Sequence, residues 1–140
     1  MATVIYDETC GFCRFSLALL LAREKRSKAP AAEGLHPLPL GSSAAVDLLA
    51  DLSPEQQAAS WHLVLDGTRF SAGAALGPAL RLLPGGRIPA ALFARFPRAT
   101  ERGYRWVADH RGALGRLVPA RARSWADRVI AAHGGPQAPQ

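Results

Sequence analysis

Cysteine is scarce in this chain of 140 residues: there are two, Cys10 and Cys13, three positions apart. A framework of several disulfides is thereby excluded. Long apolar runs are missing as well. The longest, Phe15 to Ala22, is far too short to span a bilayer. The first residues, MATVIYD, carry no positive segment of the kind that opens a secretory signal, so the cytoplasm is the expected compartment. Stable structural disulfides are rare there, and a close cysteine pair points to catalysis or metal binding. Lysine is nearly absent, since all but two of the 17 basic residues are arginines. Acidic residues thin out after position 68: the first 68 residues hold 8 acidic and 5 basic, the remainder 3 and 12. The arginines are dispersed singly among apolar residues, so no dense patch tracks a nucleic-acid backbone, and no nucleic-acid partner is expected. Leu83-Pro84-Gly85-Gly86-Arg87 lacks the Gly-Lys-Ser/Thr chemistry of a phosphate loop.

What is present suits one domain. The hydrophobic content of 49% is enough for one core, expected over residues 1–133, with 134–140 as a disordered tail. Thr3 to Tyr6 is a β-prone run. A helix should follow from about Cys10 to Lys25, with Cys13, Leu17, Leu20 and Leu21 on one face and Glu24 carrying it toward solvent. Ser27 to Gly34 reads as a loop. Leu35 to Leu40 alternates but holds two prolines, which suits an edge strand. Ser43 to Leu52 reads as a helix with Val46 and Leu49 inward, and Ser53-Pro54-Glu55-Gln56 spells a capping box opening a short one. Asp66-Gly67 between two β-prone runs is a hairpin signal. Leu76, Leu80 and Leu83 then recur at helical spacing, with Pro78 kinking or restarting the helix. Pro89 to Phe96 allows one or two turns. Thr100 stands where it could cap a helix carrying Tyr104, Val107, Arg111 and Leu114, and a last helix near Arg121 to Ala132 should bury Trp125 and Val129. Strands and helices in this order define a small α/β sandwich with extra C-terminal helices.

The chemistry concentrates in Tyr6-Asp7-Glu8-Thr9-Cys10-Gly11-Phe12-Cys13. A helix start offers unpaired backbone N–H groups and the positive end of the dipole, both of which favour a thiolate on the first cysteine. The second thiol, one turn on, is placed to resolve a mixed disulfide. Cys10 is the candidate nucleophile and Cys13 the resolving thiol. Gly11 leaves room for a substrate beside the first sulfur and Phe12 supplies an apolar contact. A structural zinc or cluster site is the competing use of such a pair, but no second Cys-x-x-Cys exists and His36, His62, His110 and His133 are scattered. No metal and no cofactor are expected. Two inert thiols at a packed helix start form the third alternative. Asp7 is a candidate either to exchange a proton with Cys13 or to cap the loop. Glu8 would oppose a thiolate at Cys10 and is expected to point into solvent.

With Asp7-x-x-Cys10-x-x-Cys13 directly after Val4-Ile5-Tyr6, the chain resembles the DCC family of thiol-disulfide oxidoreductases. The resemblance continues through Asp66-Gly67, Ser71 to Ala75 and the Tyr104 to Arg111 segment, and covers about residues 3–118. It implies a thioredoxin-like fold, a small sheet flanked by helices, and thiol-disulfide exchange with a disulfide-containing protein or a small thiol such as glutathione. Glu8 stands where that family often has glycine. Thioredoxins and glutaredoxins carry a cis-proline just before the strand that leads into the hairpin. Trp61 falls there in this chain, and no proline lies between Pro54 and Pro78. Trp61 is a candidate wall beside the sulfurs or a core residue. His62 is expected at a sheet edge or facing out. Arg111 is a candidate substrate-binding group, paired with Asp7 or Asp109 or steering an anionic thiol. Tyr104 and Trp106 are expected to pack helices.

Overall fold

A computed structural model describes residues 2–24 and 34–135. Four strands form one sheet in the order β2-β1-β3-β4. They are β1 (Ala2–Tyr6), β2 (Leu35–Pro39), β3 (His62–Leu65) and β4 (Thr68–Ser71). β2 runs parallel to β1, with Val4 opposite Pro37 and Tyr6 opposite Pro39, while β3 runs antiparallel to both of its neighbours, β1 and β4. The prolines of β2 lie on an edge strand, where missing N–H donors cost least. Asp66 and Gly67 both have positive φ, 49° and 79°, the twist a two-residue hairpin needs.

Alternation along β1 sends side chains to two cores. Ala2, Val4 and Tyr6 face one side with Leu17 and Leu21 of α1 (Gly11–Glu24), together with Leu35, Leu63 and Ile130. Ile5 faces the other side with Ala45 and Leu49, where α2 (Ser43–Leu48) and its C-cap lie. α3 (Pro54–Ala59) opens on the expected capping box, with Ser53 and Gln56 exchanging side-chain and backbone bonds. After β4 comes a 3-10 turn, Ala72–Ala75, and then α4 (Leu76–Arg81), α5 (Arg87–Arg95), α6 (Pro97–Leu117) and α7 (Ala120–Ala132). α7 packs on α1 through an edge-to-face contact of Phe15 with Trp125 and an ion pair of Arg14 with Asp127. The mixed sheet flanked by helices, with helices added at the C-terminal end, is the thioredoxin-like α/β architecture expected from the sequence.

Several local expectations are corrected. α2 stops at Leu48, so Val46 is 51% exposed while Leu49 turns inward at the C-cap. Pro78 sits in the first turn of α4, which begins afresh after the 3-10 turn, so it marks a helix start and not a kink, and no intrahelical donor is lost. α6 starts at Pro97, not at Thr100, whose hydroxyl instead donates to the carbonyls of Phe93 and Phe96. In α7 the fully buried residues are Ala126 and Ile130, with Trp125 and Val129 half-buried. Glu24 turns inward and is half-buried: its carboxylate accepts the N–H of Leu35 at 2.5 Å and ties α1 to β2. Gly134 and Gly135, expected with the tail, close α7 by returning N–H bonds to Ala131 and Ile130. The expected 27–34 loop, except Gly34, and the rest of the tail lie outside the described residues.

His62 is the largest departure. It is 1% exposed, not at the surface, because it pairs with Ile5 on the α2 face of the sheet. Its Nε2–H donates to the carbonyl of Gln57 at 3.1 Å and its Nδ1 accepts from the Ser71 hydroxyl at 2.7 Å. Both ring nitrogens are satisfied in the neutral form, and burial lowers the pKa from the ordinary 6.5. The unfolded chain therefore takes up a proton first as pH falls. The stability His62 contributes is complete above pH 6.5 and is lost as pH drops through the lowered folded value. Urea midpoints measured at neutral pH and about one and a half units lower should fall more steeply in the native protein than in His62→Gln.

Candidate active site

The site begins where β1 hands over to α1. Asp7 shapes the turn: one carboxylate oxygen accepts the Thr9 N–H at 2.9 Å and the Thr9 hydroxyl at 2.6 Å, while the Asp7 carbonyl accepts the Cys10 N–H at 3.3 Å. Cys10 then stands as the N-cap of α1. Its carbonyl accepts from the Arg14 N–H at 3.0 Å, and its sulfur accepts from the Cys13 N–H at 3.2 Å. A side chain accepting from the third helical residue is the N-cap geometry usually filled by serine or aspartate. Here a sulfur fills it, so the capping atom and the candidate reacting atom are the same. Cys10 and Cys13 are joined in a disulfide with Cα atoms 5.2 Å apart, and both residues are half-buried.

The charged neighbours differ from expectation. Glu8 is half-buried, not exposed, and its Oε1 accepts the N–H of Gly41 at 3.2 Å, in the loop after β2. Arg111 makes no ion pair with Asp7 or Asp109. Its guanidinium donates to the Ala58 carbonyl at 3.1 Å, at the end of α3. Gly11 lies beneath α7, where a Cβ would stand 3.8 Å from Cδ of Arg123.

A cavity of about 800 Å³ opens beside the dithiol. Asp7, Phe12, Cys13, Trp61 and Arg111 line it together, although they come from three separate parts of the chain. Cys10 and Gly11 are not among its wall residues. Most of the remaining wall is apolar and comes from α5 and α6, with Leu92 and Phe96 left 58% and 53% exposed at the surface. α6 presents Tyr104, Val107, Arg111 and Leu114 half-buried, which is the face the sequence assigned to it.

Three ties hold this wall. The Trp61 N–H donates to the Tyr104 hydroxyl oxygen at 3.1 Å. The Gly73 N–H donates to the Glu101 carboxylate at 3.0 Å. At the other end of α6, Gly115 lets the helix back onto the first turn of α1, a Cβ there being 3.4 Å from the Phe12 nitrogen. Burial raises the pKa of Tyr104, which outweighs the lowering by the Trp61 N–H and Arg111, so its hydroxyl stays protonated at neutral pH. Burial likewise raises Tyr6. Trp61 itself is fastened twice to Ala72: the indole N–H donates to its carbonyl and the Trp61 carbonyl accepts its N–H, each at 3.2 Å. Ala72 has φ of 53°, a left-handed conformation that costs a non-glycine residue energy and is sustained by these paired bonds.

Sequence reasoning missed most of the apolar wall, including Leu92, Phe93 and Phe96, and it missed Tyr104 as a positioning group. The i, i+4 recurrence of Ile88, Leu92 and Phe96 was the available signal. Trp106 does not pack between helices. It is 58% exposed and stacks on His110 at 4.4 Å.

A cysteine pair closing the N-terminus of the first helix beside a small mixed sheet is the arrangement of thioredoxin-like redox proteins. The model of the family described as DCC1-like thiol-disulfide oxidoreductase matches residues 4–117, and the chain belongs to that family. Searches of the curated proteins and of the solved structures found no match. Among the described residues no three His, Cys, Asp or Glu side chains cluster as a metal site, and no helix is long and apolar enough to cross a membrane.

The closeness of Gly73 to α6 is testable. A Cβ at Gly73 would lie 2.7 Å from the Glu101 carboxylate and 3.0 Å from its Cα, and the backbone contact cannot swing away. Gly73→Ala should destabilise the protein by about 1–3 kcal/mol, read from denaturant unfolding.

Proposed function

We propose that the protein exchanges thiols and disulfides through Cys10 and Cys13 in the cytoplasm. The observation that carries this reading is the Cys10 sulfur at the N-cap of α1, accepting the Cys13 N–H at 3.2 Å. A thiolate accepts that bond more strongly than a thiol does, and it also meets the positive end of the helix.

In the reductive direction the Cys10 thiolate attacks one sulfur of a substrate disulfide. A Cys10–substrate disulfide forms and the other substrate half leaves as a thiolate. Cys13 then gives up its proton and attacks the Cys10 sulfur. The Cys10–Cys13 disulfide forms, the second substrate thiolate leaves, and two electrons have passed to the substrate. The oxidative direction runs through the same mixed disulfide. Asp7 shares the cavity wall with Cys13, and only one of its carboxylate oxygens is held by Thr9. The other is free to take the Cys13 proton, while Glu8, held toward Gly41, leaves the Cys10 charge less opposed.

The substrate is a protein disulfide or a small one such as glutathione disulfide. With dithiothreitol as electron source, the purified protein should reduce a disulfide over many turnovers, and Cys10→Ser should abolish this. Stoichiometric oxidation without turnover would instead mark a redox sensor. Cys13→Ser should retain partners covalently on Cys10, recoverable by mass spectrometry. One equivalent of iodoacetamide on the reduced protein at neutral pH should label Cys10 ahead of Cys13, and the reverse order would invert the two roles. Asp7→Asn should slow release of the mixed disulfide more than its formation, by about tenfold or more in a rapid-quench experiment. Equal release rates would leave Asp7 as the cap of the turn alone.

A further inference from the structure

We infer that the cavity beside Cys13 is a substrate site for a small amphiphilic disulfide, one with an apolar, aromatic-sized body and an acidic group. This rests on the thiol-disulfide reading above and names the substrate class for it.

The size comes first. About 800 Å³ falls within the range of small-molecule sites, about 300–1,000 Å³. The wall chemistry comes second. Away from the dithiol the groove is lined by residues such as Leu20, Leu76, Leu92, Phe93 and Val107, which reward burial of an apolar body and offer little to a hydrophilic one. The same wall also carries Asp7, Cys13 and Arg111. The Arg111 guanidinium lies at Ala58, three residues before Trp61, and its charge is felt at the Tyr104 hydroxyl that holds the Trp61 N–H. Arg111 spends a donor on the Ala58 carbonyl and has no carboxylate partner among the described residues, which leaves its charge for an anion on the substrate.

The backbone decides between a small molecule and an extended peptide. A peptide laid along a sheet-side groove is held chiefly by main-chain bonds. The main chain entering β3 has none to give at Trp61. Its N–H is donated to Tyr104 and its carbonyl accepts from Ala72. Recognition therefore falls to apolar contact and to Arg111. Cys10 and Cys13 stand with their Cα atoms 5.2 Å apart, so in the reduced protein a disulfide reaching Cys13 through the groove is also within reach of Cys10.

Two measurements test this separately. The first reads the groove without thiol chemistry: oxidised protein is titrated with anilinonaphthalene sulfonate, an apolar anion. Saturable binding at one site is expected, weakened about tenfold in Leu92→Glu, whose native side chain is already exposed, and about tenfold in Arg111→Gln. The unfolding midpoint of each variant is measured alongside, so that a folding defect is not read as lost binding. No saturable binding, or binding indifferent to both substitutions, would overturn the inference.

The second follows oxidation of pre-reduced protein in single turnovers by four disulfides: dithiobis(nitrobenzoate), dithiodipyridine, glutathione disulfide and hydroxyethyl disulfide. The half-saturating concentration, measured at a pH low enough that exchange is slower than dissociation and it reports binding, should be lowest for the acidic aryl compound. Leu92→Glu should raise it about tenfold for the two aryl disulfides only, and Arg111→Gln for the two acidic ones only. Equal shifts for all four, or a preference for glutathione disulfide that neither variant disturbs, would sink the substrate class. A preference for protein disulfides over all four would do the same. If the dye binds as expected but none of the four oxidises the dithiol, the redox reading fails while the groove stands.

Discussion

Everything in this molecule turns on one hydrogen bond of about N-cap type, from the Cys13 N–H to the Cys10 sulfur. Helices need an acceptor for the donors of their first turn. Where most chains spend a hydroxyl or carboxylate on that task, this one spends a thiol. The sulfur is then held at a helix terminus by the same interaction that starts the helix, so the atom that caps the helix is also the one proposed to exchange disulfides. The rest of the local architecture serves that placement. Asp7 turns the chain at the end of β1, Glu8 pins the turn to the loop after β2, and Arg14 binds the new helix to α7 through Asp127.

The second requirement is a wall opposite the sulfurs, and α6 supplies it at some conformational cost. Ala72 adopts a left-handed backbone so that it can bond Trp61 at both its N–H and its carbonyl. Trp61 in turn donates to Tyr104, and Gly73 approaches α6 more closely than any side chain would permit. A short strained turn thus holds the far end of the groove, while Gly115 fits the near end against Phe12.

Much of this was legible from the residues. The Asp-Gly hairpin, the Ser53 capping box and the strand before the cysteines are local signals, carried by turn chemistry and period, and the structure keeps each of them. The edge position of β2 followed from its prolines. What could not be read is tertiary. His62 looked like the polar half of an alternating strand, yet both faces of this sheet are covered, so the polar half is buried as well. Glu24 and Glu8 looked solvent-bound because their acceptors' partners, Leu35 and Gly41, lie in distant segments. The groove has no local signature: its walls meet only when α5 and α6 fold back over α1, and single residues such as Leu92 or Tyr104 reveal nothing of that in isolation.

The ion pairs of the C-terminal helices have an effect well beyond the helices they join. Of the three acidic residues after position 68, Glu101 is tied to Gly73 and Arg105, and Asp127 to Arg14. Between Asp66 and Glu101 the chain contains five arginines and no acid at all. With 12 basic residues against 3 acidic ones, this half of the chain carries a net positive charge. The potential of such a charge reaches about a Debye length into solution, roughly 8 Å at physiological salt. A net positive charge of this kind raises the encounter rate of anionic molecules, and the effect fades as ionic strength increases. The scarcity of acidic residues is therefore a kinetic property of the protein as much as a compositional one.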